Sequence, residues 1–340
     1  MKKEFWIPCL LHLFVDFFCI YALLSYDINA ETRLIWFTVY NMIAFLTQPV
    51  IGALIEKSKR NKELASFGCA FVIVGALFPN LYVTSIVGGI GNAMFHVCMG
   101  TVILNKSEKS SPLGAFISFG AIGVGLASVF HNGWLFYSFL FAFAALTALN
   151  MFISYEFIPY DFKEDFKKNV TKEDLKPLPV IIVMITIGVI LRGFFGKYSA
   201  IDVDISYLIL YIELAMFLGK FTGGFILDLL GGIPLLCISL ALSILGLFFP
   251  ANIYIILLGI FGTNLLMAFT MELVRRSMPD NLGLGFGLLA SGLLTGTYIG
   301  EFTISYGYLY YIPLVLMIVN ALSLLVSLVV EYKKGRIIKL

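Results

Sequence analysis

Stretches of about twenty apolar residues follow one another along almost the whole chain, and a helix needs about that many to cross a bilayer core of about 30 Å. Backbone amides and carbonyls placed in hydrocarbon must find partners within their own segment, so such a series folds as membrane-spanning helices. The spacing predicts twelve spans, over 4–25, 34–55, 64–82, 83–104, 113–132, 134–155, 179–198, 205–228, 233–249, 250–271, 283–303 and 305–330. Pro79-Asn80 and Pro250-Ala251-Asn252 supply turns where neighbouring spans adjoin. The composition agrees: of 340 residues 60% are hydrophobic and 13% charged, where soluble domains carry roughly 25% charged.

One long polar run interrupts the series. Glu156–Lys176 holds six acidic residues and five lysines, a density of charge that hydrocarbon does not admit. The run therefore reads as a solvated connector over 156–178, between a six-helix bundle at 1–155 and a second at 179–340. The two halves resemble each other. Gly52 and Glu56 after span 2 match Gly224 and Asp228 after span 8 at an offset of 172, and Gly125 matches Gly296 at 171. Equal offsets at equal ordinal positions point to a duplicated six-helix unit, a common architecture of secondary transporters.

With the N-terminus placed inside, 19 of the 23 lysines and arginines fall on the inner segments, Arg33 falls in an outer loop, and Lys197 sits at a span end. The excess of positive charge on inner loops puts both termini and the connector in the cytoplasm, with the plasma membrane as the host bilayer. The net charge of +2 gives no footprint for nucleic acid. Cys9, Cys19, Cys69, Cys98 and Cys237 all fall within apolar spans, without the paired loop spacing of a disulfide framework or zinc site. No Gly-x-x-x-x-Gly-Lys-Ser/Thr sequence occurs, so ATP-driven transport is not expected, nor is any cofactor. Nothing in the chain implies an oligomer.

Twelve spans, a central connector and the Gly52-x-x-x-Glu56-Lys57 loop with Arg60 resemble the major facilitator superfamily. The superfamily's Asp is Glu56 here, and the glycine that usually follows is Lys59. In the second half Gly224, Asp228 and Gly231 fit the pattern, but the basic residues do not. Within the first half, His12-x-x-x-Asp16, Gln48-Pro49-x-x-Gly52, Gly91 through Phe95-His96 and Phe116-x-x-x-Gly120 resemble fosmidomycin-resistance-type exporters, with Val97 in place of the family's proline. The resemblance implies an all-α bundle in two pseudo-repeats, a solute carried by alternating access, and spans 1, 4, 7 and 10 around a central cavity.

Ionisable residues inside spans are costly enough to mark function by default. His12 and Asp16 stand four apart on one helix face. At about 1.5 Å per residue, His12 and His96 reach the same depth, about 12 Å above the inner ends of spans 1 and 4. The resemblance brings the three together, as a proton-coupling or solute-contacting group, or as a hydrogen-bonded tie between two helices. Arg192 in span 7 and Glu213 in span 8 reach similar depths, and are expected to pair with one another or to bind a solute charge. Lys220 and Glu272 lie nearer the inner surface and are expected to snorkel. Asn92 and Asn264, 172 apart, either line the cavity or bridge helices. His131 reads as a solvated turn residue.

The leading expectation is a secondary active transporter of a small solute, coupled to protons through Asp16, His12 and His96. Drug or metabolite efflux and nutrient or organic-anion import are both open directions. A membrane enzyme using the same three residues as acid/base groups or metal ligands competes with it, although no His-x-x-x-His set accompanies them. A channel is the third possibility, without any repeated filter-like loop in the spans.

Overall fold

The computed structural model describes residues 5–56, 58, 60–78, 80–107, 109–130, 133–153, 179–198, 208–249, 252–305 and 311–333. The connector, Lys57 and His131 lie outside the described residues. Among the described residues the chain forms twelve helices: α1 (Trp6–Leu24), α2 (Ala30–Ile55), α3 (Asn61–Leu77), α4 (Val83–Lys106), α5 (Ser111–Val129), α6 (Gly133–Phe152), α7 (Pro179–Tyr198), α8 (Leu208–Leu230), α9 (Gly232–Phe248), α10 (Ile253–Ser277), α11 (Leu282–Ser305) and α12 (Tyr311–Lys333). Eight are long and apolar enough to cross a bilayer, and α7, α9 and α12 hold shorter apolar stretches.

Local chemistry sets the ends. Helix α2 starts four residues earlier than the hydropathy suggests, because the Asn29 side chain accepts the Thr32 amide at 2.8 Å. Helix α3 stops at Leu77, short of the expected 82, since Phe78 precedes a proline and is extended (ψ 117°). Asn252 caps α10 by accepting the amides of Tyr254 and Ile255 at 3.0 and 3.4 Å. Between α8 and α9 the chain reverses at Gly231 with φ 89°, a conformation open to glycine alone at little cost.

Two helices carry a π-helical turn, Met42–Leu46 in α2 and Val83–Val87 in α4. The first has a visible cause. Pro49 has no amide proton and its ring crowds the carbonyl four residues back, so the regular ladder breaks there. The side chains repair it: the Thr47 hydroxyl donates to Ile43 O at 2.6 Å and the Gln48 amide donates to Ala44 O at 2.8 Å.

The duplication is visible in packing. Gly75 of α3 lies against Gly88 of α4, and 171 residues later Gly246 of α9 lies against Gly259 of α10. A Cβ at Gly75 would stand 3.0 Å from Gly88 Cα, and one at Gly246 would stand 2.8 Å from Gly259 Cα. In lipid, where apolar burial drives little, such close backbone approach supplies the association. Between the first six helices and the last six, the principal contacts are α5 with α8 and α2 with α11. Inside the first half, Phe14, Phe17 and Phe18 of α1 interlock with Phe136, Phe139 and Phe143 of α6, at centroid separations of 5.1 to 5.8 Å.

Candidate functional site

Helix α1 presents His12 and Asp16 one turn apart, and α4 presents Asn92 and His96 in the same way, so the crossing of the two helices gathers four polar side chains. His12 Nε2 is 3.3 Å from Asp16 Oδ2, His96 Nε2 is 3.6 Å from Asp16 Oδ1, and the Asn92 amide donates to Asp16 Oδ1 at 2.9 Å. The rings of His12 and His96 meet edge to face, with Nε2 to Nε2 at 2.7 Å. The site is enclosed: His12 is 5%, His96 13% and Asp16 17% exposed.

The tautomers follow from the partners. His12 Nδ1 is 2.7 Å from Phe116 O and His96 Nδ1 is 2.9 Å from Asn92 O. A carbonyl only accepts, so each Nδ1 carries a proton. Two neutral rings would then oppose bare Nε2 lone pairs at 2.7 Å, a repulsive arrangement. One additional proton between them turns that contact into a hydrogen bond of normal length. Two imidazoles sharing that proton, beside an ionised Asp16, form a neutral cluster, which is what a low-dielectric site favours. Room for it comes from α5: a Cβ at Gly120 would run into Asp16 Oδ2 and His12 Nε2.

The donor atoms of His12, Asp16 and His96 all lie within 4.8 Å, a spacing a metal ion can also use. Two imidazoles on one tetrahedral ion, each about 2.0–2.1 Å from it, stand about 3.3 Å apart, whereas the two Nε2 atoms are 2.7 Å apart.

In the second half, α7 crosses α10 as α1 crosses α4, and the buried group there is Arg192. The expected pairing of Arg192 with Glu213 is not formed. Arg192 is 5% exposed and reaches Met267 Sδ at 3.0 Å and the Thr270 hydroxyl at 3.5 Å, and its Nε has no partner. Depth along a helix fixes only one coordinate. Glu213 instead faces α5, where the missing side chain of Gly125 leaves it space. Lys220 is half-buried, within electrostatic reach of Glu213, Asp16 and Arg192. Asn264 donates to Ile260 O at 2.8 Å and is half-buried, a local bond within α10.

The loop residues form a latch at one end of the bundle. Glu56 at the end of α2 accepts the amide of Gly283, at the start of α11, and Gly52 lies against Gly283. Burial lifts the Glu56 carboxyl above its usual range, and the amides of Gly283 and Leu284 offset part of that. The second half repeats the arrangement in reverse: Asp228 at the end of α8 accepts the amides of Ser110 and Ser111 at 2.7 and 2.8 Å, and Gly224 packs on Ser110 and Ser111 at the start of α5. Each carboxylate thus caps a helix of the opposite half, where orphan amides and the helix dipole favour negative charge. Arg60 is exposed, with its own amide on the Ser58 hydroxyl at 3.2 Å.

A further member of this latch was not foreseen. Glu272 is 6% exposed rather than at the surface, and it pairs with Arg275 at 2.5 Å and Arg276 at 2.6 Å. Ser110 donates to Glu272 across the halves at 3.4 Å, and Arg275 donates to Ser107 O. The signal in the sequence was the spacing of three and four residues from Glu272 to the two arginines.

A sequence profile of the Major Facilitator Superfamily matches residues 8–279. A search of curated proteins by sequence finds no match. Among solved structures, a crystal structure of a variant of the Escherichia coli fucose:proton symporter FucP superposes with a TM-score of 0.65 at 12% identity, over 98% of this chain and 99% of that one. A second crystal structure of FucP, described as a transporter of the same superfamily in the outward conformation, gives 0.61 at 12% identity and the same coverage. At that identity the likeness is one of fold.

Proposed function

The chain belongs to the Major Facilitator Superfamily, a multi-pass membrane transporter rather than an enzyme, and on that premise we propose that it moves a small solute by alternating access, coupled to a proton shared by His12 and His96. The observation that carries the reading is the 2.7 Å approach of two Nε2 atoms whose Nδ1 atoms are both committed to carbonyls. Removing the shared proton leaves one net negative charge and two opposed lone pairs in an enclosed site. The rings must then separate, and because one stands on α1 and the other on α4, proton loss becomes relative movement of those helices. The groups facing the cluster are Asp16 and Cys19 on α1, Tyr40 on α2, Asn92 on α4, and Phe116 O with Gly120 on α5. Glu213 and Lys220 on α8 act on Asp16 from further away.

The latch of Glu56 and Asp228 closes one end of the bundle, and breaking it would expose the site to that side. The basic loops support placing that end in the cytoplasm of a cell whose plasma membrane hosts the protein. The resemblance of the first-half motifs to fosmidomycin-resistance-type exporters supports efflux as the direction. FucP is a fucose:proton symporter, which is consistent with proton coupling on this fold. The test is solute-dependent proton movement in proteoliposomes: it is expected in the wild type and lost in Asp16→Asn, and undiminished proton movement in that variant would remove the coupling.

A further inference from the structure

We infer that Arg192 is the binding group for an oxyanion, so that the solute carried is a small organic anion bearing a carboxylate or phosphate; this rests on the transporter reading above. The charges inside the bundle do not balance without one. The proton shared by His12 and His96 cancels Asp16, and Glu213 offsets Lys220, whose fields overlap. Arg192 is left over, and a protonated Glu213 would only enlarge the excess. A guanidinium stays charged at any relevant pH, so it cannot escape burial by losing its proton.

Its present contacts do not answer that charge. Among the described residues no carboxylate lies within ion-pair distance of Arg192. A thioether sulfur is a weak acceptor, and the Thr270 hydroxyl stands at the limit of a hydrogen bond while donating its own proton to Met267 O at 2.9 Å. Arg192 Nε is buried with no partner, and so is Asn320 Oδ1. Both residues border one cavity of about 20 Å³, together with Ser239, Ser243 and Thr263. That space is the size of one water, which would accept from Arg192 Nε and donate to Asn320 Oδ1, so an oxyanion would instead replace the weak Thr270 and Met267 contacts on the two Nη atoms. An isolated buried guanidinium costs several kcal/mol, and a bidentate oxyanion is the partner its fork matches.

The two halves then divide the work by symmetry of position. The α1–α4 crossing holds the proton, and the α7–α10 crossing holds the anion. On the efflux direction above, a monoanion leaving in exchange for an entering proton moves two positive charges inward per turnover, so transport is electrogenic and driven by both the pH gradient and the membrane potential.

The test is thermal unfolding of the detergent-purified chain with sodium benzoate, sodium lactate or sodium phosphate, against sodium chloride at equal ionic strength, with mannitol and choline chloride as neutral and cationic probes. At least one of the three oxyanions is expected to raise the melting temperature. Arg192→Gln is expected to require an about tenfold or greater concentration for the same effect, since a bidentate charge-assisted contact is lost. Arg192→Lys keeps the charge without the fork and should fall between them. Neither variant removes an ion-pair partner, so both should fold. The inference is overturned if no oxyanion stabilises the wild type, if mannitol or choline alone does so, or if Arg192→Gln responds as the wild type does. Oxyanion binding without proton-linked transport would remove the coupling and leave this site standing. Proton-linked transport with Arg192→Gln binding the probes as tightly as wild type would do the opposite.

Discussion

Replacing Asp228 by Asn tests the latch with a magnitude that can be worked from its geometry. The carboxylate accepts two amides, from Ser110 at 2.7 Å and Ser111 at 2.8 Å, at the first turn of α5. A hydrogen bond to a charged group contributes about 1.5–3 kcal/mol. Asn retains one acceptor oxygen, and its amide nitrogen faces the other N–H, so one such contact is lost and the remaining one is no longer charge-assisted. Taking about 2 kcal/mol as the net loss, local opening of the α5 start becomes about 30-fold more frequent. Amide hydrogen exchange of the peptide spanning 107–115 reads this directly, because the protection of Ser110 and Ser111 follows the free energy of local opening. Faster exchange by that order is the expected result, with the Gly283 amide unaffected because Glu56 holds it from a different helix pair. Unchanged exchange at Ser110 and Ser111 would refute the reasoning.

Gly120→Ala drives a methyl into Asp16 Oδ2 and His12 Nε2, and should reduce proton-linked transport by more than about tenfold as the charge-assisted contacts separate; Gly133→Ala, with nothing within 4 Å of its Cβ, is the silent control in the same liposome assay. Glu272→Gln leaves Arg275 and Arg276 without their shared carboxylate, a loss of about 3–5 kcal/mol for a buried pair, which should lower the melting temperature by on the order of 5 °C in a thermal-shift measurement. Gly246→Leu forces α9 from α10 where Gly246 lies against Gly259, and should lower the yield of folded, monodisperse protein on size-exclusion chromatography, whereas Cys237→Ala, on an exposed position, should not.

Hydropathy and glycine offsets made the architecture legible, since a span needs only length and apolarity, and a duplicated unit repeats its close contacts at a fixed interval. Gly75 with Gly88 and Gly246 with Gly259 show the physical content of that interval. The meeting of His12, Asp16 and His96 was implied by the resemblance, which sets spans 1 and 4 around one cavity; equal depth and helical spacing were compatible with it but did not select it. The Arg192–Glu213 pairing failed for the complementary reason: similar depth was all the spacing offered, and the direction each side chain takes around its helix axis was not readable. Glu272 was misplaced because snorkelling assumes lipid around a helix end, and here the neighbouring half covers it. The π turn before Pro49 escaped notice because its compensation, Thr47 and Gln48 on freed carbonyls, appears only once the backbone is known.

The most direct measurement is the protonation state of the two rings, read by nitrogen-15 magnetic resonance of histidine-labelled protein in lipid at neutral pH, with His131→Gln leaving His12 and His96 as the only signals. A single proton bridging the two Nε2 nuclei, with both Nδ1 protonated and the bridge abolished by His96→Gln, is the expected result. Two independent neutral rings with unprotonated Nε2 atoms would contradict it.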